Sequence, residues 1–203
     1  MNKKVDQDMR KAIIDLLDKL NTIEYINPES IPNIELYMDQ VTSFIDGQLA
    51  GSKRNEDDKL LTKTMINNYT KNDLLPPPVK KKYSKEHLLS LIFIYYLKNI
   101  VSINDIHSIL KPITENYFGN QNGYNLEDIY AEIFRMEKAE SQKILKEFSK
   151  KYSIAKDTFA DFPEEDQEML HAFSFICLLS FDVYMKKQLI ERIVDDVFTD
   201  SSK

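Results

Sequence analysis

Cysteine occurs once in the 203 residues, at Cys177, and glycine only four times. A single thiol forms no internal disulfide, makes no CxxC pair and cannot build a thiolate-rich metal centre, so the chain is compatible with a reducing cytosol. Cys177 sits in the apolar run Phe173-Ser-Phe-Ile-Cys-Leu-Leu179 and reads as a small buried hydrophobe. HExxH, GxSxG and glycine-rich phosphate loops are missing too. Glu168 and His171 have the spacing used in carboxylate-bridged di-metal bundles, but His87 and His107 carry Ser84 and Asn104 at that offset, so the second pair is lacking. The expectation is a protein that is not an enzyme and needs no cofactor or metal. Long hydrophobic runs are scarce as well. The best, residues 88–97 and 172–181, are shorter than the ~20 residues that span a bilayer, and Met1-Asn-Lys-Lys-Val-Asp6 leads into no apolar signal core. A soluble, cytoplasmic protein is expected.

Leu, Ile, Lys, Glu, Asp and Asn dominate what is present, with seven prolines, three of them consecutive. That is the composition of an all-α protein, long enough to bury a core unaided. Met9, Ile13, Leu16, Leu17 and Leu20 recur at helical spacing and predict a helix over residues 5–24. A second is expected from about Asn33 to Leu49, followed by a charged loop at residues 51–58. Thr62 caps a short helix ending near Asn72, Pro76-Pro-Pro78 prevents its continuation, and Ser84 caps the next. Ser102 and Asp105 have capping-box spacing and open a helix that Pro112 is expected to limit. After a loop at residues 119–123, Asn125 starts a long helix. The last helix begins at Phe162-Pro163, with Glu164, Glu165 and Asp166 complementing its dipole. Residues 170–181 are apolar almost all round, which predicts a central position in a bundle or burial in a partner subunit.

A net charge of −6 argues at first against a polyanionic partner, yet its distribution reverses that argument. From Lys59 to Lys98 eight lysines face only Asp73 and Glu86, a local charge of +6 that leaves −12 on the remainder. Within this island Thr64, Asn67, Asn68 and Lys71 follow i, i+3, i+4, i+7 and share a wholly polar helical face. Leu61, Met65 and Tyr69 lie opposite and can pack inward. Asparagine can bond bidentately to adenine in the major groove, and lysine meets phosphate or guanine acceptors. Lys80, Lys81 and Lys82 then form a short cationic tether.

At this point Met65-Ile-Asn-Asn-Tyr69, Asp73-Leu-Leu-Pro-Pro-Pro78, Lys81-Lys-Tyr-Ser84, Leu89-Ser-Leu-Ile-Phe-Ile94 and Ser102-Ile-Asn-Asp-Ile106 stand in one register. This stretch resembles the MerR-like winged helix-turn-helix family, as recognition helix, linker, basic wing end and following helices. The complete chain is similar to the bacterial family catalogued as domain of unknown function 1836. Against the MerR pattern, the charged insert at residues 51–59 replaces a tight turn, Asn67 replaces an arginine and Asp73 replaces a glycine. The resemblance implies an N-terminal helix (1–30), a winged helix-turn-helix with a short β-wing near residues 79–83 (31–118), and a C-terminal helical region for packing or dimerisation (119–203). It further implies a sequence-specific transcriptional regulator that binds double-stranded DNA as a homodimer, with any effector organic or proteinaceous. Tyr69, Lys81 and Tyr83 are expected at phosphates, Thr64, Asn67, Asn68 and Lys71 near base edges, and Lys63, Lys80 and Lys82 beside them. The alternative is a non-catalytic protein-interaction module on the same scaffold.

Overall fold

The structure, a computed structural model, describes Asp15, residues 26–120 and residues 123–199. The expected helix over residues 5–24 lies outside the described residues apart from Asp15, as do Gln121 and Asn122. The described chain is mostly helical: α1 (Met38–Gln48), α2 (Lys63–Lys71), α3 (Lys85–Leu97), α4 (Ile103–Tyr117), α5 (Leu126–Lys156) and α6 (Glu164–Ile193), the last running into a wider π-type turn at Val194–Phe198. Two strands, β1 (Leu36–Tyr37) and β2 (Lys82–Tyr83), pair antiparallel with Leu36 opposite Tyr83 and Tyr37 opposite Lys82. Two compact units divide the described chain, residues 26–136 with 189–199 and residues 137–188.

In the larger unit α3 is the hub. Every residue from His87 to Tyr95 is buried, so the helix shows no polar stripe. Val41 and Ile45 of α1, Ile66 and Tyr69 of α2, Ile106 and Leu110 of α4, and Leu126 and Tyr130 of α5 join it in one core. Local caps fix the helix starts. Met65 N–H donates to Thr62 Oγ1 at 3.2 Å. Asp105 N–H donates to Ser102 Oγ at 3.1 Å while Ser102 N–H donates to Asp105 Oδ2 at 3.0 Å, the reciprocal box expected from their spacing. At α5, Glu127 and Asp128 amides donate to Asn125 Oδ1 at 2.9 and 3.1 Å.

Two helix limits differ from expectation. The helix expected from Asn33 begins only at Met38, because Tyr37 stays extended and its N–H is taken by Gln40 Oε1 at 2.9 Å. Leu36 then enters the core through strand alternation, buried while Tyr37 faces out. Pro112 does not end α4, which continues to Tyr117. Proline removes one amide from the ladder, but Ile109 and Ile113 on either side keep packing against the core.

In the smaller unit, Phe175 meets Tyr152 edge to face at 5.5 Å between centroids. Lys151 pairs with Glu147 and, at 3.1 Å, with Asp182, which also takes Lys186 at 2.9 Å. His171 Nε2–H donates to the Thr158 carbonyl at 2.9 Å. The apolar run in α6 is not central: Met169, Phe173, Ile176 and Phe181 are exposed, and so is Cys177, which was expected to be buried. Among the described residues, α6 uses one side for its own unit and leaves the other uncovered. Glu164–Phe198 is continuous over 35 residues and, by length and composition, long and apolar enough to cross a membrane, with a window of mean hydropathy 1.3. The run at residues 172–181 understates it, because the helix continues on both sides of that run.

Candidate nucleic-acid interface

Helix α2 has two unlike sides. Ile66 and Tyr69 are buried and Met65 packs against the core, whereas Lys63, Thr64, Asn67, Asn68 and Lys71 are exposed. The amide and lysine side expected for base contact therefore faces solvent. Asn72 follows as the C-cap, its N–H on the Asn68 carbonyl at 3.1 Å. Asp73 takes a left-handed backbone (φ 55°), which lets the Leu74 and Leu75 amides fold back onto the Tyr69 carbonyl at 2.9 and 3.2 Å. A glycine would take that position without a Cβ penalty; aspartate tolerates it better than most residues.

The segment after the prolines makes a tight turn. Lys82 N–H donates to the Val79 carbonyl at 2.9 Å, and the two residues between, Lys80 (φ 50°) and Lys81 (φ 64°), are both left-handed. Two consecutive positive φ values define a type I′ turn, a geometry that favours Asn-Gly. Two lysines there cost roughly 1–2 kcal/mol each in backbone strain. Their side chains stand exposed at the tip.

Not every expected contact residue is available. Tyr69 and Tyr83 are 7% and 3% exposed, so neither reaches a phosphate as placed; both are wall residues of the core, and burial pushes both phenols up. Tyr83 instead meets His87 edge to face at 5.4 Å. Lys82 sits 3.5 Å from Glu35 and 5.8 Å from the Tyr37 ring centroid, and Lys63 pairs with Asp39. Lys85 pairs with Glu127, and Lys98 donates to the Leu60 carbonyl at 2.7 Å, burial holding its ammonium below the usual range. Only Lys59, Lys71, Lys80 and Lys81 of the eight are exposed and lack such a partner among the described residues. The basic island is thus smaller than its charge count, because its acids come from residues 35, 39 and 127, outside the counted window.

His87, weighed in the sequence only as a metal ligand, is the functional-looking residue whose surroundings that reading missed. It is 3% exposed, between Tyr83 and Phe118, whose ring centroid lies 4.8 Å away. Ser84 N–H donates to His87 Nδ1 at 3.0 Å, which leaves the ring proton on Nε2. Nε2 is buried without a hydrogen bond of good geometry. Burial holds the imidazole below its ordinary range, with the Pro77 and Pro76 carbonyls offsetting part of that. The Ser84-to-His87 spacing was the signal, since it is a capping box with imidazole in the glutamate position.

The family model described as a domain of unknown function (DUF1836) matches residues 26–133. No curated protein and no solved structure matches the chain.

Proposed function

The chain belongs to the DUF1836 family, and on that premise we propose that it is a sequence-specific, double-stranded DNA-binding regulator of the cytoplasm, homodimeric and built on a MerR-like winged helix-turn-helix core. In this reading α1 and α2 are the helix pair, α2 lies in the major groove, and the turn at Lys80 and Lys81 is the wing tip. The observation that carries it is that strained turn. Two lysines occupy a left-handed backbone suited to Asn-Gly, without an acidic partner among the described residues, where strain is retained for what the side chains reach. Lys71 adds a further cation for phosphate, and Asn67 and Asn68 supply paired donors and acceptors for adenine edges.

Selection of genomic fragments followed by fluorescence anisotropy tests it. Log affinity should fall with log salt by about 0.9 per phosphate neutralised. Lys80→Ala with Lys81→Ala should weaken all sequences together, whereas Asn67→Ala should cost about 1–3 kcal/mol on the selected sequence and little on a scrambled one. Affinity indifferent to salt and to both lysines would defeat the reading. The exposed apolar side of α6 favours a second reading, a non-catalytic protein-interaction module, for which no DNA is retained at any salt.

A further inference from the structure

On α6, Met169, Phe173, Ile176, Ser180 and Val183 follow one another in steps of four, three, four and three residues. That alternation keeps a single seam facing a second helix in a left-handed pair. Among the described residues nothing covers this seam: the four apolar members are 65, 59, 58 and 58% exposed, and Ser180 is exposed too. The opposite side of the same helix already has its neighbours, Phe175 on Tyr152 and Asp182 on Lys151. Phe181 and Tyr184, each about a hundred degrees further round the helix than Ser180 and Val183, widen the uncovered face.

We propose that the occupant of this seam is the same seam of a second copy, paired antiparallel about a two-fold axis between Ile176 and Ser180. Charge selects the polarity. The first turn of α6 holds Glu164, Glu165 and Asp166, while its C-terminal end carries Lys186, Lys187 and Arg192 against the single acid Glu191. Parallel copies would set like charge beside like, and antiparallel copies set the acidic end of each beside the basic end of the other. Shape agrees with charge: rotation about that axis puts Ile176 across from Ser180 and Phe173 across from Val183, larger side chains against smaller ones. A bilayer suits the face less well. Crossing one would strip water from Asp182, Lys151 and Lys186, whose ion pairs lie midway along the helix. The pairing gives the homodimer of the preceding reading a place and a direction, and needs no DNA.

Sedimentation equilibrium of the full chain without DNA tests it, so that loss of DNA binding and loss of pairing are separate results. The wild type should be a dimer, and Ile176→Glu a monomer of unchanged helicity, since the side chain is exposed. Cys177, exposed and beside the axis, should be joined to its copy by a short bis-maleimide. In a Cys177→Ser background, Met169→Cys should not join, because antiparallel pairing separates the two positions by roughly 27 Å along the helix. A monomeric wild type, a dimer that survives Ile176→Glu, or Met169→Cys joined to its own copy would each overturn the proposal. Monomers that sediment with phosphatidylcholine and phosphatidylglycerol vesicles would overturn it in favour of lipid.

Discussion

His87 and Ser90 are the polar side chains buried among the hydrophobic residues of α3. A histidine held neutral by burial links proton uptake to unfolding, and the sign can be worked out. The unfolded chain takes up a proton near the ordinary value of about 6.5, and the folded chain resists to a lower pH. Stability should therefore be level above about pH 6.5 and fall below it, each unit of difference between the two states being worth about 1.4 kcal/mol. His87→Gln keeps a side-chain acceptor for the Ser84 amide and does not titrate. Denaturant unfolding at several pH values should show the wild type losing stability between about pH 7 and 5.5, with the difference from His87→Gln widening over that interval. Parallel curves would mean that the imidazole is not the group responsible.

The turn Val79–Lys82 is where stability and the proposed contact oppose one another. Replacing Lys80 by Asn and Lys81 by Gly suits the left-handed pair and should raise stability by about 1–2 kcal/mol, read as a shift in denaturation midpoint. The same variant should bind DNA more weakly than wild type. Were it both no more stable and equally tight, neither the strain nor the contact would be as argued. Legibility also divides at this level. Thr62, Ser102 and Asn125 could be read as caps because a cap involves residues two or three apart. Strand β1 could not, since two residues have no period to detect and Leu36 owes its strand to Tyr83, far along the chain. The polar face of α2 was visible in the spacing of Thr64, Asn67, Asn68 and Lys71. The burial of Tyr69 and Tyr83 was not, because an amphipathic ring suits either a groove or a core edge.

Across the whole molecule, long-range ties matter more than local pattern, and charge shows it most plainly. Lys63, Lys82 and Lys85 counted as cations in a window of sequence, but folding brings Asp39, Glu35 and Glu127 to them. The larger unit is also pinned by Tyr130, fully buried, whose hydroxyl donates to the Ile26 carbonyl at 2.6 Å across 104 residues. Tyr130→Phe leaves that carbonyl unsatisfied and should lower unfolding free energy by about 1–2 kcal/mol. An unchanged denaturation midpoint would show that water replaces the hydroxyl at no cost.

The pairing of β1 with β2 closes Met38 to Lys81 into a hoop fastened at its base. The exposed, charged stretch over residues 54–57 hangs from the rim of that hoop, away from its fastening. Residues added or removed there would alter the circumference and leave the buckle shut, so the two-lysine tip, which belongs to the buckle, keeps its posture whatever length the rim adopts.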